Sequence, residues 1–238
     1  MQMFDLSGKV AVVTGGNGGI GFGMARGLPE AGSAFVVAGR NADKSARPVK
    51  DLQALRATPV AMEVDVANGG SVAALVKRTA GELGRLDILV NNAGTNIRKA
   101  PQDLSLAEWH QVMDTNLTSG FLLSQGPYPH LKRAGGGKIV NIGSMMSIFG
   151  AAFVAPYGAS KGGIVQLTRA LACAWARDNI QVNAVLPGWI DTALTQRARK
   201  DIAGLHENVL RRTPAGRWGE PTDLSGIAVF LCSAASNF

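Results

Sequence analysis

The sequence predicts an α/β fold: a single-domain, doubly wound parallel sheet of about six strands, Rossmann-like, over residues 1–238. Six short apolar runs alternate with longer segments of helical periodicity, and such alternation is typical of a parallel sheet with helices on both faces. Glycines and polar residues directly follow most of these runs, where ligands bind in sheets of this kind. No tandem repeat or interdomain linker appears, which favours one domain.

The predicted strands are nearly continuous apolar runs, as expected for strands that are buried on both faces of a sheet. In chain order they are Lys9–Thr14, Ala34–Ala38, Pro59–Val64, Leu86–Val90, Lys138–Ile142 and Ile180–Leu186. The predicted helices run from the turn after the first strand to Ala31, between Arg40 and Pro59, and over Gly70–Leu83, Ser105–Arg133, Ala155–Arg177 and Pro221–Ala234.

Prolines predict irregularities in two of these helices. Pro29 lies late in the first helix, where the missing backbone donor should kink or end it. Gly126, Pro127 and Pro129 should interrupt the long helix after the fourth strand. The segment between Thr192 and Pro221 is basic and has no clear pattern, so no element is predicted there.

The charge pattern argues against nucleic acid as a partner. The chain has 24 basic and 17 acidic residues, a net charge of +7, but the basic residues are scattered and are not interleaved with aromatic ones. The densest basic group is Arg197–Lys200 with Arg211 and Arg212. We interpret this group as a solvated surface or as the rim of a site for an anionic substrate.

Several features are absent from the sequence. There is no signal peptide and no uncharged apolar run of membrane-spanning length, so we expect a cytoplasmic protein with no membrane partner. Cys173 and Cys232 lie in apolar helical segments and are expected to be buried and reduced. The three histidines form no zinc-binding spacing with the cysteines, so no metal site is expected.

A glycine-rich turn joins the first strand to the first helix and contains Gly15, Asn17, Gly19, Ile20 and Gly21. Glycines let backbone N–H groups approach a pyrophosphate, whose charge the helix N-terminus favours. The spacing differs from the Gly-x-Gly-x-x-Gly of two-domain dehydrogenases, and a glycine cluster alone is compatible with a simple tight turn. Its position after the first strand favours a nucleotide site.

The residues after the second strand bear on the choice of nucleotide. Arg40, followed by Asn41, stands where an acidic residue would accept hydrogen bonds from a ribose 2′-hydroxyl. An arginine suits a 2′-phosphate instead, through a charge-assisted bidentate contact. We therefore expect NADP(H) to be favoured. NAD(H) remains possible, because the glycine turn contributes no second cation and Arg40 is also compatible with an ordinary surface position.

A serine, a tyrosine and a lysine after the fifth strand form a candidate catalytic group. Tyr157 and Lys161 are four residues apart on a predicted helix and therefore share one face, and Ser144 precedes Tyr157 by thirteen residues. A nearby cation favours the phenolate and lowers the pKa of a tyrosine, which then serves as an acid/base catalyst. The same spacing is also common on helices without a catalytic role, so the other motifs must decide.

Taken together, these motifs resemble the short-chain dehydrogenase/reductase family, in its single-domain branch. The resemblance covers essentially the whole chain and rests on Thr14-Gly15-x-x-x-Gly19-Ile20-Gly21, Asp65-Val66, Asn91-Asn92-Ala93-Gly94, Asn116, Ser144, Tyr157-x-x-x-Lys161 and Pro187-Gly188-x-Ile190-x-Thr192. The chain departs from the family at Pro29, where a good helix former is more usual. It also departs after Phe238, where the family usually continues into a last strand and a glycine-rich tail, so we expect that strand to be missing.

The resemblance implies a role for each catalytic candidate. Tyr157 would be the general acid/base, and Lys161 would lower its pKa and hydrogen-bond the nicotinamide ribose. Ser144 would donate a hydrogen bond to the substrate oxygen and stabilise the developing alkoxide. Asn116 would help to hold a water that links Lys161 to solvent. The hydride chemistry would belong to the dinucleotide.

The resemblance also implies cofactor contacts beyond the glycine turn. Asp65 and Val66 would contact the adenine. The adenosine ribose side would be lined by Asn92, Ala93 and Gly94, which also brace the sheet. The nicotinamide would be positioned by the residues after the sixth strand: Pro187, Gly188, Ile190 and Thr192.

For the substrate, the segment from Thr95 to Thr118 resembles the gluconate 5-dehydrogenase and 2-deoxygluconate dehydrogenase members of the family. We therefore favour a sugar acid or polyol, with Arg98 on the carboxylate. A polar, anionic substrate would be bound by Asn96, Arg98, Ser147 and Trp189. Arg98 is equally compatible with a solvated loop charge. A 3-oxoacyl-thioester (acyl carrier protein) reductase and a glucose 1-dehydrogenase are the alternatives within the class.

A catalytically silent nucleotide-binding regulator is the alternative from a different class. The complete set of Ser144, Tyr157, Lys161 and Asn116 argues against it, because a regulator does not need these four side chains. The resemblance further implies a homotetramer in which the helix from Ser105 and the helix with Tyr157 pair across a subunit interface.

Overall fold

The computed structural model describes residues 2–41, 45 and 59–238, and these form one six-stranded parallel sheet with helices on both faces. The strand order is β3-β2-β1-β4-β5-β6, so the chain reverses its winding direction between β1 and β4. The strands are β1 Val10–Thr14, β2 Ala34–Gly39, β3 Pro59–Glu63, β4 Ile88–Asn91, β5 Gly137–Ile142 and β6 Ile180–Val185. The predicted doubly wound fold is therefore confirmed.

The described helices alternate with the strands as far as β6, and three more follow it. They are α1 Gly19–Glu30, α2 Gly69–Leu83, α3 Leu106–Met113, α4 Ser119–Gln125, α5 Tyr128–Arg133, α6 Ala155–Trp175, α7 Ala193–Asp201, α8 Leu205–Arg212 and α9 Ser225–Cys232. The helix predicted between Arg40 and Pro59 lies, apart from its ends and residue 45, outside the described residues.

Each face of the sheet has its own apolar core, as the continuous apolar runs predicted. Along β1, Val12 packs on one side with Leu75 of α2 and Leu171 of α6. Val13 packs on the other side with Met24 of α1. These strands are buried on both faces, so the sheet is held rigidly and its carboxyl edge can position side chains accurately.

The long helix predicted over Ser105–Arg133 is interrupted more often than the prolines suggested. A π-helical turn, Asp114–Thr118, separates α3 from α4, and Gly126 and Pro127 separate α4 from α5. Sequence periodicity did not reveal the π turn, because one extra residue barely alters the apolar pattern. In α1, Pro29 lies one residue before the helix ends at Glu30, as expected.

The basic segment before Pro221 contains two helices that the sequence analysis did not predict, α7 and α8. Thr192 caps α7, since its side chain accepts a hydrogen bond from the Thr195 N–H while Thr195 reaches back to the Thr192 N–H. The helix predicted over Pro221–Ala234 is a 3₁₀ turn, Pro221–Leu224, followed by α9. The first turn of α7, residues Ala193, Leu194 and Thr195, lines the candidate site.

The predicted burial of the cysteines is correct for Cys232 and wrong for Cys173. Cys232 is buried and free, but Cys173 is exposed and free. Leu171 and Thr168 form the inner face of α6, which leaves Cys173 on the outer face. Within the part of the chain that the structure describes, no helix is long and apolar enough to cross a membrane.

Candidate active site

A cleft of about 500 Å³ lies at the carboxyl ends of the strands, around the point where the strand order reverses. It brings together residues that are far apart in the sequence. The predicted site residues that line it are Gly15, Asn17, Gly19, Ile20, Arg40, Asn41, Val66, Asn92, Ala93, Gly94, Ser144, Tyr157, Lys161, Pro187, Gly188, Ile190 and Thr192. Seven predicted residues are not part of this lining: Gly21, Asp65, Asn96, Arg98, Asn116, Ser147 and Trp189.

The glycine turn forms one end of the cleft and leads into the N-terminus of α1. Gly15 and Gly19 have positive φ angles of 63° and 51°, which residues with a side chain rarely adopt. Gly21 faces the protein interior, where an added Cβ would lie 2.3 Å from the Asn92 Nδ2 atom. Gly21 is therefore needed for close packing, while the turn before it lines the cleft.

Asn92 braces this turn from the neighbouring strand. Its side-chain Nδ2 donates to the carbonyl oxygens of Thr14 at 3.0 Å and Gly15 at 3.2 Å. The Thr14 hydroxyl accepts the backbone N–H of Asn92 at 3.0 Å and of Ala93 at 3.1 Å. The turn and the end of β4 are thus fixed to each other by four hydrogen bonds.

The residues predicted to select the nucleotide follow β2 and lie at the same end of the cleft as the glycine turn. Arg40 and Asn41 line the cleft and are exposed. Val66 lines it too, whereas the Asp65 carboxylate accepts the Ala67 N–H at 3.1 Å and is turned towards the loop. Arg40 is the cationic residue at this end of the described cleft lining.

At the other end of the cleft, α6 presents Tyr157 and Lys161. The Lys161 Nζ lies 5.7 Å from the centre of the Tyr157 ring and donates to the Ile142 carbonyl at 2.6 Å. Burial lowers the pKa of Lys161 to about 8. Lys161 is thus held against the end of β5, on the same helix face as Tyr157.

The expected lowering of the pKa of Tyr157 is not found. Burial raises the pKa of the phenol, and this effect outweighs two opposing ones, a hydrogen bond with Ser144 and the positive charge of Arg98. The sequence shows a charge at helical spacing but not the desolvation of the phenol, which depends on what packs around the ring.

Ser144 and Ser147 share a short turn after β5, but their hydroxyls have different partners. The Ser144 Oγ accepts the Met146 N–H at 3.1 Å and faces the cleft beside Tyr157. The Ser147 Oγ accepts the Ser144 N–H at 3.2 Å and donates to the Lys161 carbonyl at 2.6 Å. Ser147 therefore links Ser144 to α6 rather than lining the cleft.

Asn116 sits in the π turn and holds two other elements together. Its Oδ1 accepts the Thr95 N–H at 2.8 Å, and its Nδ2 donates to the Thr95 carbonyl at 2.9 Å. The same Nδ2 also donates to the Ser160 hydroxyl at 3.0 Å, and Ser160 in turn donates to the Tyr157 carbonyl at 2.8 Å. The Asn116 side chain thus couples the loop after β4 to α6.

The loop after β4 also carries Arg98, which contacts the helix that covers the cleft. Its Nη2 donates to the Leu194 carbonyl at 3.2 Å, and its Nη1 lies 3.6 Å from the Asp201 carboxylate. Asn96, in the same loop, has a buried Oδ1 without a hydrogen-bond partner among the described residues. Leu194 and Asp201 were not predicted as site residues, because no element was predicted in their segment.

Trp189 belongs to an aromatic cluster beside α7. Its ring lies 5.5 Å from that of Trp218, edge to face, and the Arg199 guanidinium lies 4.3 Å from the centre of the Trp218 ring. Arg199 also forms a close ion pair with Asp191. This cluster attaches α7 to the loops that follow β6 and α8.

A glycine turn at one end of the cleft and a Ser, Tyr and Lys group at the other define a dinucleotide-dependent oxidoreductase. The family profile described as short chain dehydrogenase matches residues 9–203. The chain belongs to the short-chain dehydrogenase family, as the sequence motifs indicated.

Individual relatives extend the comparison. The 2-dehydro-3-deoxy-D-gluconate 5-dehydrogenase of Escherichia coli (strain K12) is 42% identical over 239 residues, covering 100% of this chain and 93% of that protein. The gluconate 5-dehydrogenase of Gluconobacter oxydans (strain 621H) is 38% identical, covering 100% and 92%. A crystal structure of a gluconate 5-dehydrogenase from Burkholderia cenocepacia J2315 in complex with NADP and tartrate matches with a TM-score of 0.94 at 39% identity, covering 100% and 92%.

Proposed function

We propose that this protein is an NADP(H)-dependent oxidoreductase that interconverts a secondary alcohol and a ketone on a sugar acid. The observation that carries the proposal is the shared cleft, which has the glycine turn and Arg40 at one end and Tyr157 beside Ser144 at the other. Relatives that are 42% and 38% identical to this chain are named 2-dehydro-3-deoxy-D-gluconate 5-dehydrogenase and gluconate 5-dehydrogenase.

The residues present fit a phosphorylated dinucleotide. Gly15 and Gly19 adopt the positive φ angles that let backbone N–H groups face a pyrophosphate at the start of α1. Arg40 is exposed at the adenosine end, where it would contact a 2′-phosphate, and it has no acidic neighbour in the described cleft lining. The similar gluconate 5-dehydrogenase of B. cenocepacia was crystallised with NADP. When bound, the nicotinamide would supply or accept the hydride.

The protein's own residues would handle the proton. The Tyr157 hydroxyl would give a proton to the ketone oxygen in reduction and take it from the alcohol in oxidation. The Ser144 hydroxyl would donate a hydrogen bond to the same oxygen as negative charge develops there. Lys161 would stabilise the Tyr157 phenolate and contact the nicotinamide ribose. Because burial raises the pKa of Tyr157, the phenol holds its proton at neutral pH, which suits ketone reduction.

Arg98 supports a carboxylate-bearing substrate. The positive charge of Arg98 acts to lower the pKa of Tyr157, against the larger effect of burial. A guanidinium offers five N–H donors, and the structure shows one hydrogen bond and one ion pair for Arg98. Donors therefore remain for a planar carboxylate, which guanidinium groups bind in a bidentate manner. Asn96 and Trp189 would shape the same end of the site.

The proposal is tested with a panel of substrates and both reduced and oxidised cofactors, following the absorbance of the reduced nicotinamide. We expect turnover of gluconate-type acids, with the KM of Arg98→Ala raised about 10- to 100-fold and a smaller change in kcat. Arg78→Ala, which removes an exposed arginine on α2, should leave both constants unchanged. Turnover of 3-oxoacyl thioesters or of glucose alone would replace the sugar-acid assignment with one of those activities.

We also propose that residues 1–238 act as one domain of a cytoplasmic homotetramer. Two large apolar side chains, Leu106 on α3 and Phe121 on α4, are exposed by 71% and 43%, which supports a contact through these helices. Light scattering after size exclusion should give four chains per particle for the native protein. The double variant Leu106→Asp with Phe121→Asp should give a smaller particle, and an unchanged mass would contradict this contact.

A further inference from the structure

Arg98 contacts both ends of α7, although it belongs to a different part of the chain. Its Nη2 donates to the carbonyl of Leu194, in the first turn of the helix, at 3.2 Å. Its Nη1 lies 3.6 Å from the carboxylate of Asp201, the last residue of the helix. One guanidinium therefore holds the helix that covers the cleft at two points.

The two contacts differ in strength. The bond to Leu194 has normal hydrogen-bond length, whereas the contact to Asp201 is too long for a direct hydrogen bond. The Asp201 side chain is 46% exposed and is shared with Arg197, whose Nε lies 3.9 Å away. The carboxylate of Asp201 is half exposed and its contact with Arg98 is long, so this ion pair contributes little free energy and another carboxylate can replace Asp201 on Arg98.

From this geometry we infer that Asp201 is a specificity-determining residue, which occupies Arg98 until the carboxylate of an anionic substrate displaces it. The inference rests on the proposed function, since that function assigns Arg98 to the carboxylate of the substrate. Asp201 then acts as an internal competitor. Asp201 competes with any anion that needs the Arg98 guanidinium, so only a ligand that gains further contacts in the cleft displaces it.

The exchange has a structural consequence for α7. When the substrate carboxylate takes over Arg98, the C-terminal tether of α7 is released while the tether at Leu194 stays. α7 also carries Arg199, which lies over the Trp218 ring. A shift of the helix therefore changes the surroundings of Trp218, so that anion binding alters tryptophan fluorescence.

The test uses tartrate as a dicarboxylate probe and threitol as its uncharged counterpart, both titrated calorimetrically into protein saturated with NADP⁺. We expect Asp201→Asn to bind tartrate about two- to fivefold more tightly than the native protein, since an exposed ion pair is worth up to about 1 kcal/mol. Threitol binding should not change. Glu207→Gln, which removes an exposed charge from α8 without touching Arg98, is the matched control and should have the smaller effect on tartrate.

The coupling between Arg98 and Asp201 is measured by making Asp201→Asn in a protein that also carries Arg98→Ala. In Arg98→Ala, the further change Asp201→Asn should leave tartrate affinity unchanged, because the competed cation is gone. The tartrate-induced change in tryptophan fluorescence should also be lost in Arg98→Ala.

Three results would overturn the inference: no tartrate binding to the native protein, an effect of Asp201→Asn no larger than that of Glu207→Gln, or the same gain for threitol. Failure of the proposed function looks different. If no sugar acid is turned over while Asp201→Asn still tightens tartrate through Arg98, the substrate assignment fails and the competition stands. If sugar acids are turned over but Asp201→Asn behaves like the native protein, the competition fails and the substrate assignment stands.

Discussion

The proposed catalytic floor of the cleft and the charged rim beside it are built differently. The floor (Ser144, Tyr157 and Lys161) is held by short hydrogen bonds to backbone carbonyls, those from Lys161 to Ile142 and from Ser147 to Lys161. The charged rim (Arg98 and Asp201) is held by a long ion pair with a half-exposed carboxylate. Arg40, at the cofactor end, is exposed as well.

This difference in construction matches a difference in role: the floor would carry out the proton transfer, and the rim would select the ligand. Buried hydrogen bonds between backbone and side chains fix positions accurately, and the proton transfer requires that accuracy. Exposed charges contribute little to stability and exchange partners easily, which suits the choice of a ligand. Variants of the floor should therefore change kcat, and variants of the rim should change affinity and preference.

The largest effect is expected for Tyr157→Phe, which removes only the hydroxyl of the floor. We expect kcat to fall about 10³-fold or more, because general acid/base catalysis is lost, while dinucleotide binding is retained. Stopped assays for turnover and fluorescence titration for NADPH measure the two quantities. Turnover at the native rate would remove Tyr157 from the catalytic assignment. Tyr128→Phe, a change to the other tyrosine, is the control.

A smaller effect is expected at the cofactor end for Arg40→Ala. The NADPH to NADH ratio of kcat/KM should fall about 10- to 100-fold, because the contact to the 2′-phosphate is charge-assisted. Rates with NADH should stay close to those of the native protein. An unchanged ratio would mean that Arg40 does not select the cofactor. Arg26→Ala, on an exposed face of α1, serves as the matched control.

Ser147→Ala tests whether the floor depends on the hydroxyl that joins Ser144 to α6. We expect kcat to fall about tenfold with little change in the KM for either ligand, since small displacements of catalytic groups are costly. The alkaline limb of the pH–rate profile should shift as well, because Ser144 is a hydrogen-bond partner of Tyr157. Ser7→Ala, which removes an exposed hydroxyl near the N-terminus, should behave like the native protein. A raised substrate KM with unchanged kcat would instead place Ser147 in substrate binding.

The smallest effect concerns stability and its dependence on pH. The pKa of Lys161 is about 8 in the folded protein, below its ordinary value of 10.5. Between these two pH values the unfolded chain binds more protons, so the free energy of unfolding should rise with pH, here on the order of 1 kcal/mol. Below about pH 8 Lys161 is charged in both the folded and the unfolded state, so the whole cost of burying its charge lowers the free energy of unfolding.

This rise in the free energy of unfolding is measured by urea unfolding at about pH 7.5 and about pH 10, close to the folded and unfolded pKa values of Lys161. Lys161→Met should show a smaller rise than the native protein, while Lys200→Met, an exposed change on α7, should show the same one. An equal rise in all three proteins would contradict the burial of a charged Lys161. Lys138, whose pKa burial also lowers to about 8, accounts for part of the remaining rise.

Much of the fold and of the proposed catalytic floor could be predicted from the apolar runs and from the residue types that follow them. Continuous apolar runs predicted strands buried on both faces, and the motifs after them predicted a family that the comparisons confirm. Glycine and the Tyr-x-x-x-Lys spacing are informative because each reflects a local requirement, a positive φ angle or one shared helix face. Such local requirements restrict which residue types can occur at a position, so they can be recognised in the sequence.

Tertiary structure alone decided the partners of Ser147, the contact between Arg98 and Asp201, and the raised pKa of Tyr157. Arg98 and Asp201 are more than one hundred residues apart, and no local pattern connects them. The pKa depends on desolvation, which is a property of everything that packs around the ring. The sequence by itself determined which chemical groups are present and on which edge of the sheet they lie, whereas the packing of distant segments decided what each group touches and therefore how it is charged.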